Sequence, residues 1–99
     1  MRYIVTTRDG RNLITIKAGF NEVAALAFED EEIARVYLRM NPHPAIQASA
    51  LGDLDRAILA RTATAIMLTT VDDVITLCKR PEEFPWAART LNVQTLFKQ

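Results

Sequence analysis

Val23-Ala24-Ala25-Leu26-Ala27-Phe28-Glu29-Asp30-Glu31-Glu32-Ile33-Ala34 is the stretch on which the fold turns. Its first six residues are all apolar, which is strand length and too short for a helix of its own. An unbroken apolar run, in place of strict alternation, suits a strand covered on both faces. Four carboxylates follow, and Ile33, Val36, Tyr37 and Met40 then recur at helical spacing up to the stop at Asn41-Pro42. Negative charge at the start of a helix is favoured by the helix dipole. The stretch therefore predicts a buried strand that runs straight into an amphipathic helix, and so a sheet with helices laid on it.

On the N-terminal side, Tyr3-Ile4-Val5-Thr6-Thr7 and Leu13-Ile14-Thr15-Ile16 are β-rich runs separated by Asp9-Gly10, the favoured dipeptide of a two-residue hairpin turn. With Asp9 and Gly10 as the loop, Val5 pairs with Ile14 and Tyr3 with Ile16, which puts all four on one buried face. On the C-terminal side, Ala45 to Ala50 reads as a short strand. Leu54, Ala57 and Ile58 form the stripe of a second helix capped by Gly52 or Asp53, and Thr62 to Leu68 is again a strand. Thr70 with Asp73 resembles a capping box, and Val71, Val74, Ile75 and Cys78 make a third helical stripe ending at Lys79-Arg80-Pro81. Phe84 to Asn92 reads as a short helical turn and Val93 to Phe97 as a closing strand. The resulting expectation is one α/β domain over residues 1–99, with α+β as its close variant. An N-terminal β-hairpin leads into a mixed sheet with about three helices packed on it.

Composition narrows the function. The 99 residues are 49% hydrophobic, enough for one core and little more. Twelve basic residues balance twelve acidic ones, so no net field draws in nucleic acid or an anionic membrane. Cys78 is the only cysteine, which excludes an internal disulfide and favours a reducing, cytoplasmic compartment. No apolar run approaches the length of a membrane span, and the apolar stretch at the N-terminus is too short for a secretion signal.

No catalytic, metal or cofactor constellation emerges. His43 has no second histidine or cysteine near it to share a metal. Ser49 lacks the glycines of a nucleophile elbow, and Cys78 falls on an apolar helix stripe where a thiol behaves as a small hydrophobe. Three glycines cannot build a phosphate-cradling loop. The acidic run Glu29 to Glu32 is explained by the helix dipole and by pairing to Arg35. Two sets of residues remain as candidates. Phe84 and Trp86, with Val93, Leu96 and Phe97 of the closing strand, form an apolar group at a sheet edge and are candidate interface anchors. Arg35, Arg39 and His43 are candidate anion contacts, with Arg8 and Arg11 as further basic spots at the hairpin tip.

The segment Ala24 to Ala34, a buried strand entering an acid-capped helix, resembles the strand-to-helix signature of SseB N-terminal-type domains, and the likeness extends weakly to Ala65-Ile66-Met67-Leu68. Those domains carry an asparagine-proline turn after that strand, where this chain has Thr69-Thr70. The resemblance implies a small non-enzymatic domain with an accessory or regulatory role, and it brings no catalytic residues. Together these readings point to a non-catalytic protein-interaction or regulatory module of the bacterial cytoplasmic kind. It would work as a homodimer or accessory subunit, without cofactor, nucleic acid or membrane. The alternative is a small ligand-binding domain or enzyme with an anion site near His43 and Arg35 or Arg39.

Overall fold

In the computed structural model, which describes residues 1–18 and 23–97, the strand at the centre of the sheet is the one the sequence marks most clearly. Strand β3 (Val23–Phe28) is fully buried from Ala24 onward. On one side it pairs in parallel with β5 (Thr64–Leu68), in the register Ala25 to Ala65 and Phe28 to Leu68. On the other side it pairs antiparallel with two short strands in succession. β1 (Tyr3–Thr7) covers its C-terminal end through Tyr3 and Ile4, and β2 (Thr15–Lys17) covers its N-terminal end. β4 (Ile46–Ala50) lies antiparallel to β1, and β6 (Thr90–Asn92) lies antiparallel to β5. The order is β4-β1-β3-β5-β6 with β2 beside β3, a mixed six-stranded sheet in an α/β fold.

The hairpin forms only at its tip. Thr7 N donates to Asn12 O at 2.9 Å, Thr6 bridges Leu13, and Ile14 N donates to Val5 O at 3.1 Å. That is the register the Asp-Gly turn predicts, but it stops there, because Tyr3 faces Phe28 and Ala50, and Ile16 faces Ala24. Pairing with two longer neighbours satisfies more backbone groups than a free two-stranded hairpin would. The loop is also longer than two residues. Gly10 N closes a turn onto Thr7 O at 2.9 Å, and Gly10 takes φ of +71°. Tyr3, Val5, Ile14 and Ile16 nonetheless share one face, as expected, and all four belong to or pack on the same apolar cluster.

That first face is covered by α1 (Glu31–Met40) and α3 (Val71–Lys79). Asp30 caps α1 by accepting from Ile33 N at 3.0 Å, and Ile33, Val36, Tyr37 and Met40 all reach the cluster formed by Leu26, Phe28, Ile66, Leu68 and Val74. Thr70 caps α3 by accepting from Asp73 N at 3.1 Å; Val74 and Cys78 meet the first cluster as expected, joined by Leu77, while Val71 is exposed. The second face is covered differently. Its cluster of Ile4, Ala25, Ala27, Ala65 and Met67 packs on Leu51, Leu59, Val93 and Leu96, supplied by short helical pieces. The second helix, α2 (Arg56–Leu59), is a single turn capped by Asp55 in place of Gly52 or Asp53, and it follows a 3-10 turn at Leu51–Asp53. Ala57 is exposed there, and Leu59 takes the core position.

The C-terminus departs most from expectation. α4 (Trp86–Arg89) leads into β6, and Val93–Phe97 is a 3-10 turn, not a closing strand. Asn92 Oδ1 accepts from Gln94 N at 2.8 Å and turns the chain, which brings Val93 and Leu96, three residues apart, onto one side beneath the second face.

Candidate functional site: the open edge of the sheet

Each group of residues singled out in the sequence has a definite place. Phe84, Val93 and Leu96 are 4%, 1% and 2% exposed, so they are core residues of the single chain and not available as surface anchors. Trp86 is half-buried, stacked edge-on against Phe84 with ring centres 4.9 Å apart, and its Nε1 donates to Pro81 O at 3.1 Å. It covers the first cluster from outside. Phe97 ends the described backbone, and its side chain lies outside the described residues.

The three anion candidates are not gathered around one point. Arg35 is engaged by Glu31 one turn earlier, and Arg39 is exposed in the last turn of α1. His43 lies in the loop after α1, where its Nδ1 accepts from Ala45 N at 3.0 Å. In a cleft of about 410 Å³, His43 is accompanied by Arg8, Leu38, Pro42, Pro44 and Ile46. Arg8 Nε is itself spent on Pro44 O at 2.8 Å. Ser49 and Cys78 also have partners. Ser49 Oγ lies 2.7 Å from Thr6 Oγ1, and Asn41 Nδ2 donates to Cys78 Sγ at 3.1 Å. Among the described residues, no group of three or more histidine, cysteine or acidic side chains is placed to hold a metal ion, and no helix is long and apolar enough to cross a membrane.

The perturbed charge of Asp73 is structural. Burial pushes the Asp73 carboxyl up, but the Arg89 guanidinium and two hydrogen bonds from Thr69 outweigh it, so Asp73 titrates below the ordinary carboxylate range. Arg89 grips both carboxylate oxygens, at 2.9 and 3.1 Å, and ties the segment before β6 to the start of α3. Four hydrogen bonds from protein groups thus occupy the carboxylate, which marks it as a structural tie.

What remains is an edge. Among the described residues, β4 is the last strand on its side and pairs with β1 alone. Its sequence, Ile46-Gln47-Ala48-Ser49-Ala50, carries no charge and no proline. The bonds Arg8 N to Ala45 O and Leu51 N to Arg2 O fix the antiparallel alternation. Gln47 and Ser49 therefore turn their backbone groups toward β1, and Ala48 and Ala50 turn theirs outward. Beside this edge runs a cleft of about 620 Å³. Gln47, Ser49 and Ala50 line it, with Arg11 of the hairpin tip at one end and Asp53 and Asp55 at the other. The hairpin tip is braced for this position by Arg61, which donates to Asn12 Oδ1 at 2.8 Å. Sequence reasoning missed the edge because strand order is set by contacts between distant segments. The available signal was the uncharged alternation of Ile46 to Ala50.

Comparison with known proteins adds no identity: no family model, no curated protein and no solved structure matches this chain.

Proposed function

We propose that the chain is a non-catalytic protein-interaction or regulatory module of the cytoplasm, working as a homo-oligomer or accessory subunit, and that its working surface is the outer edge of β4. The observation that carries this reading is the outward-facing backbone of Ala48 and Ala50 on a five-residue strand free of charge and proline. Soluble proteins usually blunt such an edge with lysine, proline or a covering loop, since it is a template for another strand. Strand addition supplies backbone hydrogen bonds for affinity and side-chain pockets for specificity, and the cleft beside β4 offers such pockets. The resemblance to SseB N-terminal-type domains supports the same class of role. The competing anion-site reading has less behind it, because Arg35 is held by Glu31 and Arg8 by Pro44.

The test is the native mass of the tagged chain in a gentle extract of its own cells. Wild type is expected well above its 11.1 kDa monomer mass, and Ala48→Pro is expected at the monomer mass. Proline at Ala48 removes an outward N–H and spares the bonds to β1, as edge strands tolerate. A monomeric wild type, or a complex untouched by Ala48→Pro, overturns the reading.

A further inference from the structure

We infer that the strand added to β4 is β4 of a second copy, the two strands running antiparallel about a two-fold axis at Ala48. The inference rests on β4 being the interaction edge, and it adds the partner's identity.

Three features of the edge fit its own image. In an antiparallel pair centred on Ala48, the outward N–H and C=O of Ala48 meet those of Ala48 in the other copy, and Ala50 N–H meets the outward carbonyl of Ile46. The pairing therefore uses groups that β1 leaves free, while the Ile46 N–H keeps its bond to His43 O at 3.4 Å. Side chains match as well. Ile46 falls opposite Ala50 on the face that carries the first cluster, and Gln47 falls opposite Ser49 on the other, where Gln47 Nε2 already reaches Ser49 Oγ at 3.2 Å within one chain. Apolar meets apolar, and amide meets hydroxyl.

Charge is the third feature and the one that selects a two-fold. The Ile46 end of the edge is flanked by Arg8 and Arg11, both exposed, with Asp9 between them. Asp9 is occupied locally, since its Oδ1 accepts from Thr7 Oγ1 at 2.6 Å and from Arg11 N at 3.0 Å. The Ala50 end is flanked by Asp53 and Asp55, with Asp55 committed to capping α2. Antiparallel self-pairing sets the guanidinium end of each copy beside the carboxylate end of the other. Parallel pairing would set like beside like. Zero net charge on the chain leaves no global repulsion against the dimer.

The experiment is light scattering on the purified chain across a concentration series, with four variants. Wild type is expected to reach twice 11.1 kDa with rising concentration, and Ala48→Pro to stay monomeric. Arg11→Glu and Asp53→Arg are each expected to weaken the dimer about tenfold, and the double variant to restore it, because the two-fold puts these side chains across from each other. Both are surface changes that leave the core intact, so they decide the matter even if Ala48→Pro fails to fold. A purified wild type that stays monomeric while the complex in extract persists overturns the second copy and leaves the edge reading standing. A dimer that survives Ala48→Pro and both charge reversals overturns the edge as well.

Discussion

β6 and β4 end the same sheet on opposite sides, and they are finished in different ways. β6 is three residues long and is tied down on both flanks. Arg89, immediately before it, holds Asp73 of α3 with two hydrogen bonds, Thr90 Oγ1 donates to Trp86 O at 2.6 Å, and the chain turns away at Asn92 into the 3-10 segment. β4 has five residues and no charge, and the bond on its outer side that closes it locally is at one end, where Ile46 N donates to His43 O at 3.4 Å. Shortness and local bonding are common ways to keep an edge from recruiting other chains. The contrast teaches that local polar contacts finish one edge of this sheet, while the other keeps outward backbone groups at Ala48 and Ala50.

The first way to break the comparison is at the closed edge. Asp73→Ala leaves the Arg89 guanidinium without its carboxylate and Thr69 N–H without an acceptor. It is expected to cost about 3 kcal/mol in chemical denaturation, with α4 and β6 loosening first. The pH dependence follows from the lowered titration of Asp73. A carboxyl depressed in the folded state contributes stability above its unfolded value of about 3.9, and that contribution is lost as pH falls through the lower folded value. Wild type should therefore lose stability on acidification below about pH 4 more steeply than the Asp73→Ala variant. Equal acid limbs would show that the Arg89 pair does little.

At the open edge, two neighbouring proline substitutions separate its inner side from its outer one. Gln47→Pro removes an N–H turned toward Thr6 in β1 and is expected to cost more than about 2 kcal/mol. Ala48→Pro removes an outward N–H and is expected to cost less than about 1 kcal/mol while abolishing association. Similar melting temperatures for the two would mean that the alternation along β4 has been assigned backwards.

The buried centre was legible in the sequence, and the edges were not. Ala24 to Phe28 announce a doubly covered strand by composition alone, and Asp30 with Thr70 announce the helix starts, because these are local effects. The hairpin register could be read at Thr6 and Leu13 but not its end, since β3 and β4 compete for the same backbone groups. Val93 and Leu96 read as strand because they are apolar. The Asn92 side chain that turns them into a 3-10 segment is an ordinary polar residue until its bond to Gln94 N is seen. The aromatic cluster reads as an interface because its residues are large, and the structure buries Phe84 within the chain. An edge made of Ala48 and Ser49 has no large side chain to betray it.

The turn that braces the open edge gives a smaller effect. Gly10 has φ of +71°, and a Cβ placed there meets nothing within 4 Å, so any cost of substitution comes from the backbone and not from crowding. Gly10→Val is expected to destabilise by roughly 1–2 kcal/mol, since a β-branched residue is poor in the left-handed region. Gly10→Asn should recover much of that loss, because asparagine tolerates this region best among the larger residues. Equal losses for both would point to a steric role that the open space around Gly10 does not provide.

The smallest expected effect is at His43, beside the Ile46 end of the edge. The imidazole makes one bond, from Ala45 N to Nδ1, within an exposed loop already stiffened by Pro42 and Pro44. Water can replace an acceptor at an exposed amide, so His43→Ala should change stability by less than about 0.5 kcal/mol. The same substitution separates the two flanks of the edge. If self-pairing draws on Arg11 and Asp53, the dimer formed by His43→Ala should dissociate at nearly the wild-type concentration, while Arg11→Glu dissociates at about tenfold higher concentration. A loss of association at His43→Ala as large as that at Arg11→Glu would move the contact away from the β4 backbone and onto the loop, and with it the reason for leaving this edge open.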